Sequence, residues 1–240
     1  MNLPESPLPP FKSVGYTGSA TGPRLIVTGA VHGNETCGTQ AIVRVMDELD
    51  TGALAIVAGS VTFVPITNAL AYALKRRAGE RNLNRALQPT DAPRQFEDRV
   101  ANWLCPLLAA HDVLLDLHSF LSPGRPFVMV GPRDNAGLLE PFAHAAREEA
   151  LARCLGEPAP PVVASIETLS LVEVVDKHHA DDAFSRPWSS FDALREGDEI
   201  GRRADGEVLR APHVGWIVFP NTRAEVRQEW YYLARASSRF

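Results

Sequence analysis

Arg24-Leu25-Ile26-Val27-Thr28-Gly29 is a short apolar, β-branched run that ends in glycine, and it predicts a buried strand. Over residues 36–49 the spacing changes. Ala41, Ile42, Val45, Met46 and Leu49 recur at helical intervals and predict an amphipathic helix. The residues between, His32 to Glu35, then form a strand-to-helix turn. Residues 59–66 read as a second strand. Residues 69–94 are basic and poor in large apolar groups, which predicts an excursion over the surface. Residues 96–110 predict a helix with Val100, Trp103, Leu104, Leu107 and Leu108 on one face. Residues 112–117 predict a short central strand, 126–130 another, and the Ala- and Glu-rich stretch 141–155 a further helix. Ahead of all these, residues 1–23 read as turns, punctuated by Pro4, Pro7, Pro9, Pro10, Gly15, Gly18 and Gly22.

The pattern then changes character. Gly156-Glu157-Pro158-Ala159-Pro160-Pro161 reads as a linker, because consecutive prolines cannot continue a helix. Beyond it come short strand-like runs at 168–175, 207–209, 215–219 and 230–233, separated by turns such as Glu196-Gly197-Asp198 and Asp205-Gly206. Strands alternating with helices, followed by strands alone, predict an α/β domain over residues 1–162. A small β-rich domain follows over residues 163–240.

Composition narrows the function classes. The 240 residues are 45% hydrophobic and 22% charged, with 24 basic and 29 acidic side chains and a formal charge of -5. No run of like charge exceeds a few positions, which argues against a nucleic-acid surface. No stretch approaches the roughly 18 uninterrupted apolar residues of a membrane span. The Pro-rich start lacks the apolar core of a signal peptide, so a cytoplasmic location is expected. Cys37, Cys105 and Cys154 are odd in number and widely spaced, unlike a disulfide framework.

Candidate chemistry concentrates at two strand ends. A catalytic zinc takes three protein ligands and keeps a fourth position open, with histidine nitrogen and carboxylate oxygen as suitable donors. His32 and Glu35, three apart in the first turn, can aim both donors at one ion, and Gly33 permits the sharp bend. The apolar run Leu114-Leu115-Asp116-Leu117 delivers His118 and Ser119 to the tip of a second strand, where ligands of open α/β sheets collect. One zinc per chain, held by His32, Glu35 and His118, is therefore expected. Rival patterns carry less. His178-His179-Ala180-Asp181-Asp182 offers four donors in five residues, but adjacent side chains diverge and a polar loop explains them. Cys37 is expected to turn away from the ion as a small buried residue. His213 reads as a turn residue. No Gly-Lys-Ser/Thr follows the glycines at 15, 18 and 22, and no Gly-x-Ser-x-Gly elbow exists.

Three motifs, Gly29-Ala30-Val31-His32-Gly33-Asn34-Glu35, Asn82-Leu83-Asn84-Arg85 and Asp116-Leu117-His118-Ser119, resemble the succinylglutamate desuccinylase and aspartoacylase family, relatives of the zinc carboxypeptidases. The resemblance covers roughly residues 24–130, and the β-rich end is similar in character to that family's small C-terminal domain. It implies a zinc-carboxypeptidase-like mixed sheet flanked by helices. The implied activity is hydrolysis of an amide or ester bond in an N-acyl amino acid or a similar small carboxylate-bearing substrate. It further implies that Asn84 and Arg85 hold a substrate carboxylate and that Arg77 helps polarise the scissile carbonyl. Relatives also carry a general-base glutamate on a strand reading like Thr-Leu-Glu-x-Gly. No such motif lies between His118 and residue 180, and only Glu167 and Glu173 fall on strand-like segments; Glu148, Glu149 and Glu157 fall on the helix or linker. The chain is thus expected to be shortened between its third zinc ligand and the β domain. The alternative is a zinc-binding relative of weak or absent catalysis, acting as a binding module.

Overall fold

Leu25 and Val27 face one side of a sheet while Ile26, between them, faces the other, so this strand is buried on both faces and its apolar run need not alternate. A computed structural model of the chain describes residues 9–120, 122–124, 129 and 169–237. They fall into two compact units, residues 9–119 and a second made of Phe120, 122–124, 129 and 169–237. The boundary expected at 162/163, the linker, the helix over 141–155, most of the strand over 126–130, and Glu167 lie outside the described residues.

The first unit contains strands β1 (Val14–Thr17), β2 (Ala20–Gly29), β3 (Ala58–Val64) and β4 (Val113–Leu117), and helices α1 (Cys37–Asp50), α2 (Ala69–Leu74) and α3 (Phe96–Ala109). The sheet order is β1-β3-β2-β4. β2 runs parallel to β3 and β4, with Leu25 opposite both Val61 and Val113, while β1 is antiparallel to β3, with Val14 opposite Phe63. The sheet is therefore mixed. α3 covers one face, packing Val100 and Leu104 against Ile26 and Val64. α1 covers the other, packing Ile42 against Leu25, Val27 and Phe63. Fully burying aliphatic side chains of this size contributes about 1.5–3 kcal/mol each, which makes these two layers the scaffold of the unit.

Two expectations change. Residues 1–23 were expected as turns, yet they contain β1 and the start of β2; the short run Val14–Thr17 becomes a strand because β3 supplies an antiparallel partner. The excursion over 69–94 contains α2, a six-residue helix that amphipathic spacing does not mark. Asn68 caps it, its side chain accepting from the Ala71 N–H at 3.0 Å, and Lys75 ends it in the left-handed region at φ +53°.

The second unit is all β. One antiparallel sheet has the order β5-β11-β10-β7, with β5 (Leu169–Asp176), β7 (Asp192–Leu194), β10 (Gly215–Val218) and β11 (Glu229–Ala236). A smaller one, β6-β8-β9, joins β6 (Ala183–Phe184), β8 (Glu199–Arg202) and β9 (Val208–Arg210). Both close on a core of Trp188, Leu194, Ile200, Ile217, Trp230 and Leu233. The runs at 168–175, 207–209, 215–219 and 230–233 correspond to β5, β9, β10 and β11. β6, β7 and β8, two to four residues long, were not anticipated. Among the described residues no helix is long and apolar enough to cross a membrane.

Candidate metal centre

β2 and β4 are parallel neighbours, so their C-terminal ends open on the same edge of the sheet. Ala30 leaves β2 with φ +48° and begins a tight turn closed by the Glu35 N–H donating to His32 O at 3.1 Å. Gly33 allows that turn for a packing reason. A Cβ at this position would lie 2.0 Å from both the carbonyl carbon and oxygen of Ala71 in α2. Gly38, in the first turn of α1, meets the end of β4 less tightly, its Cβ position being 2.8 Å from Leu117 Cβ. Both glycines bring the His32–Glu35 turn against its neighbours.

The three expected ligands converge. His32 Nδ1 faces Glu35 Oε1 at 2.9 Å, and His118 Nδ1 faces Glu35 Oε2 at 2.9 Å. Their donor atoms all lie within 4.8 Å of one another, and they form a group of ligating side chains able to hold one ion among the described residues. His32 and Glu35 are buried, and the His118 ring packs edge-on to His32 with centroids 5.0 Å apart.

The outward ring nitrogens are also held. His32 Nε2 faces Asn82 Oδ1 at 3.1 Å, and this atom is the oxygen because it also accepts from the Asn84 N–H at 3.0 Å. His118 Nε2 faces Asp116 Oδ2 at 2.7 Å, while Asp116 Oδ1 accepts from the Thr28 hydroxyl at 2.7 Å. Both outward partners only accept, so each favours a proton on Nε2 and turns Nδ1 of its ring towards Glu35, as the atom that would ligate an ion on giving up its own proton. Two imidazole nitrogens and a carboxylate, each ring oriented by an outer acceptor, fit a catalytic zinc.

The cluster is held by opposed charges, and an ion would bind His118 by displacing its proton. Burial pushes the Glu35 carboxyl up, but His118 and His32 outweigh it and hold the group at about 2. Burial pushes the His118 imidazole down, and Asp116 and Glu35 outweigh it, raising it to about 10. The site is built around charge: Glu35 also accepts from the Ser119 N–H at 2.9 Å and from Arg77 Nη1 at 3.1 Å.

Arg77 therefore lies against the ligand cluster. Asn84 and Arg85 are exposed in the turn that follows Asn82, where the Arg85 N–H donates to Asn82 O at 3.1 Å. Glu173 lies on β5, in the second unit. The rival loop is otherwise occupied. Asp182 accepts from the N–H groups of His178, His179 and Ala204 and from Arg203 Nη1, with every distance between 2.8 and 3.1 Å. Cys37 is exposed, not buried as expected: it opens α1, and Gly38 makes the close contact with β4 instead. His213 is a half-buried residue in a bend before β10. Asn82 and Asp116 were not singled out from the sequence. Asp116 could have been found by its two-residue spacing from His118, whereas Asn82 meets His32 only through the fold.

Comparison with known proteins gives a consistent result. The family profile described as the succinylglutamate desuccinylase/aspartoacylase catalytic domain matches residues 21–157. No curated protein sequence matches the chain. Among solved structures, it is similar to a succinylglutamate desuccinylase/aspartoacylase from Rhodobacter sphaeroides, with TM-score 0.69, 17% identity and coverage of 95% of this chain and 90% of that one. It is also similar to succinylglutamate desuccinylase from Vibrio cholerae, with TM-score 0.66, 17% identity and coverage of 91% and 82%. A third is the product-bound ectoine utilization protein from Ruegeria pomeroyi, with TM-score 0.64, 16% identity and coverage of 91% and 87%. At these identities the likeness is one of fold.

Proposed function

We propose, from the premise that this chain belongs to the succinylglutamate desuccinylase/aspartoacylase family, that it is a zinc-dependent hydrolase. Its substrate is an N-acyl amino acid or a similar small carboxylate-bearing molecule, cleaved at an amide or ester bond. One observation carries the reading: the Nδ1 atoms of His32 and His118 meet the two oxygens of the buried Glu35, each at 2.9 Å.

His32, Glu35 and His118 would hold the ion, and Asn82 and Asp116 keep the two rings in the ligating orientation. When bound, zinc supplies Lewis acidity towards a carbonyl oxygen and lowers the pKa of a water to about 7. Arg77, against Glu35, is the donor to a carbonyl oxygen as it gains negative charge. Asn84 and Arg85 bind the substrate carboxylate, the planar guanidinium meeting it with two parallel hydrogen bonds.

A specific observation favours a second reading, a zinc-binding relative of weak catalysis. Of the carboxylates bonded to the ligand cluster, Asp116 is engaged at both oxygens, by Thr28 and by His118, and is not free to move a proton. Losing a positioned proton-transfer group forfeits about 10²–10⁴ in rate. Activated esters suffer least, since their leaving groups need no proton. A panel of N-acyl amino acids and a phenyl ester, assayed with and without a chelator, decides between the two. Chelator-sensitive amide hydrolysis identifies the enzyme; turnover of the ester alone identifies the weak relative. Chelator-insensitive turnover of every substrate overturns both.

A further inference from the structure

Glu97 is fully buried in the first turn of α3, a place where an unpaired carboxylate would be costly. It is not unpaired. Its Oε1 accepts from the Asn68 side-chain amide at 2.9 Å and from the Gly79 and Glu80 N–H groups at 3.0 and 3.2 Å. Its Oε2 accepts from the Arg81 N–H at 3.1 Å. The carboxylate thus gathers three successive backbone N–H groups of the segment between Arg77 and Asn82. Its neighbour continues the grip: Asp98 Oδ1 accepts from Arg81 Nε at 2.9 Å, and Arg81 Nη1 donates to Arg85 O at 2.9 Å. The next residue after this clasp is Asn82, whose Oδ1 holds His32 Nε2.

We propose that Glu97 is a positioning residue for the metal centre: it fixes the 79–81 backbone so that Asn82 orients the His32 ring, and it thereby sets zinc affinity without touching the ion. The proposal rests on the zinc reading of His32, Glu35 and His118. Its physical basis is that Asn82 sits on a loop, and a loop side chain orients a ligand only as well as its own backbone is fixed. Glutamate suits the task because an ionised carboxylate accepts at both oxygens. Glutamine does not, because its NH₂ group, at either position, faces a backbone N–H that it cannot pair.

The test is a double-mutant cycle on the full chain. Zinc dissociation constants are measured by competition with a chelating dye for wild type, Glu97→Gln, Asn82→Ala and the double variant, with the melting temperature of each metal-free protein. Removing an outer-sphere partner typically costs 10–100-fold in affinity. Asn82→Ala is expected in that range and Glu97→Gln near tenfold, with the double variant no weaker than Asn82→Ala alone. Gly79→Ala supplies a second approach from the loop side, since its Cβ would lie 2.6 Å from Glu97 Oε1. It is expected to reproduce the zinc loss of Glu97→Gln if that variant folds poorly. Wild-type zinc affinity in both Glu97→Gln and Gly79→Ala, with only the melting temperature lowered, overturns the proposal and leaves the zinc site standing. Multiplied losses in the double variant also overturn it. A wild-type chain that binds no zinc removes the functional reading itself, and the proposal with it.

Discussion

His118 is held from both sides of its ring, Nδ1 at 2.9 Å from Glu35 Oε2 and Nε2 at 2.7 Å from Asp116 Oδ2. Asp116 lies opposite Thr28 across the β2–β4 ladder and accepts its hydroxyl, so the outer acceptor is itself anchored in the sheet. Asp116→Asn keeps the size and replaces the charge. It is expected to weaken zinc binding by about 10–100-fold with little change in secondary structure. Calorimetric titration with zinc measures this, and unchanged affinity would show that Glu35 alone orients the ring.

Gly33→Ala tests the turn without removing a ligand. The added Cβ collides with the backbone of Ala71, so either α2 or the His32–Glu35 turn must move. Overpacking of this kind costs about 1–3 kcal/mol, and a shift at His32 lowers zinc affinity as well. Both losses are expected together, in a denaturant melt and a zinc titration on the same protein. A variant with wild-type stability and zinc affinity would mean that the close approach of α2 is not needed.

Much of this arrangement was legible in the sequence, and what was missed shares a physical reason. α1, β3, α3, β10 and β11 bury continuous apolar faces, so their periodicity or apolar runs mark them. β1 and α2 bury little and depend on partners: Val14–Thr17 on β3, and Ala69–Leu74 on the Asn68 cap. His32, Glu35 and His118 could be read because all three stand at strand ends beside glycine or apolar runs. Asn82 and Glu97 could not, because their roles consist of contacts 50 residues away to His32 and 16–18 residues away to the backbone at 79–81. Cys37 was misjudged because helical spacing does not say which residue of the first turn faces the sheet; Gly38 does.

Arg85→Lys separates substrate recognition from metal binding. Lysine keeps the charge but loses the planar fork, so binding of carboxylate-bearing ligands is expected to weaken by roughly tenfold while zinc content stays constant. Competition by N-acyl amino acids against a chromogenic ester reads the first, and metal analysis the second. Equal inhibition of both proteins would make Arg85 a surface residue.

In the β unit, burial pushes the Asp182 carboxyl up, but Arg203 and the N–H groups of His179, His178 and Ala204 outweigh it and hold it well below the usual carboxylate range. Because the folded-state pKa lies below the unfolded value of about 3.9, the stabilisation is full above that pH and is lost as pH falls through the folded value. Asp182→Asn is expected to cost about 3 kcal/mol at pH 7, since the buried Arg203 loses its close carboxylate and keeps Asp176 O at 2.7 Å and the exposed Glu207 at 4.0 Å. The variant should also lose much of the wild type's acid sensitivity below about pH 4. Urea melts of both proteins at pH 7 and at lower pH, followed by tryptophan fluorescence, give the comparison. Parallel loss of stability with acid in both would assign the acid response to other carboxylates.

Zinc content of the purified chain and of His118→Ala, measured by atomic emission after exhaustive dialysis, tests the metal centre most directly. About one zinc per chain is expected in the wild type, and less than roughly a tenth of that in the variant, because two ligands remain where a catalytic site needs three. Full zinc retention by folded His118→Ala would contradict the centre formed by His32, Glu35 and His118.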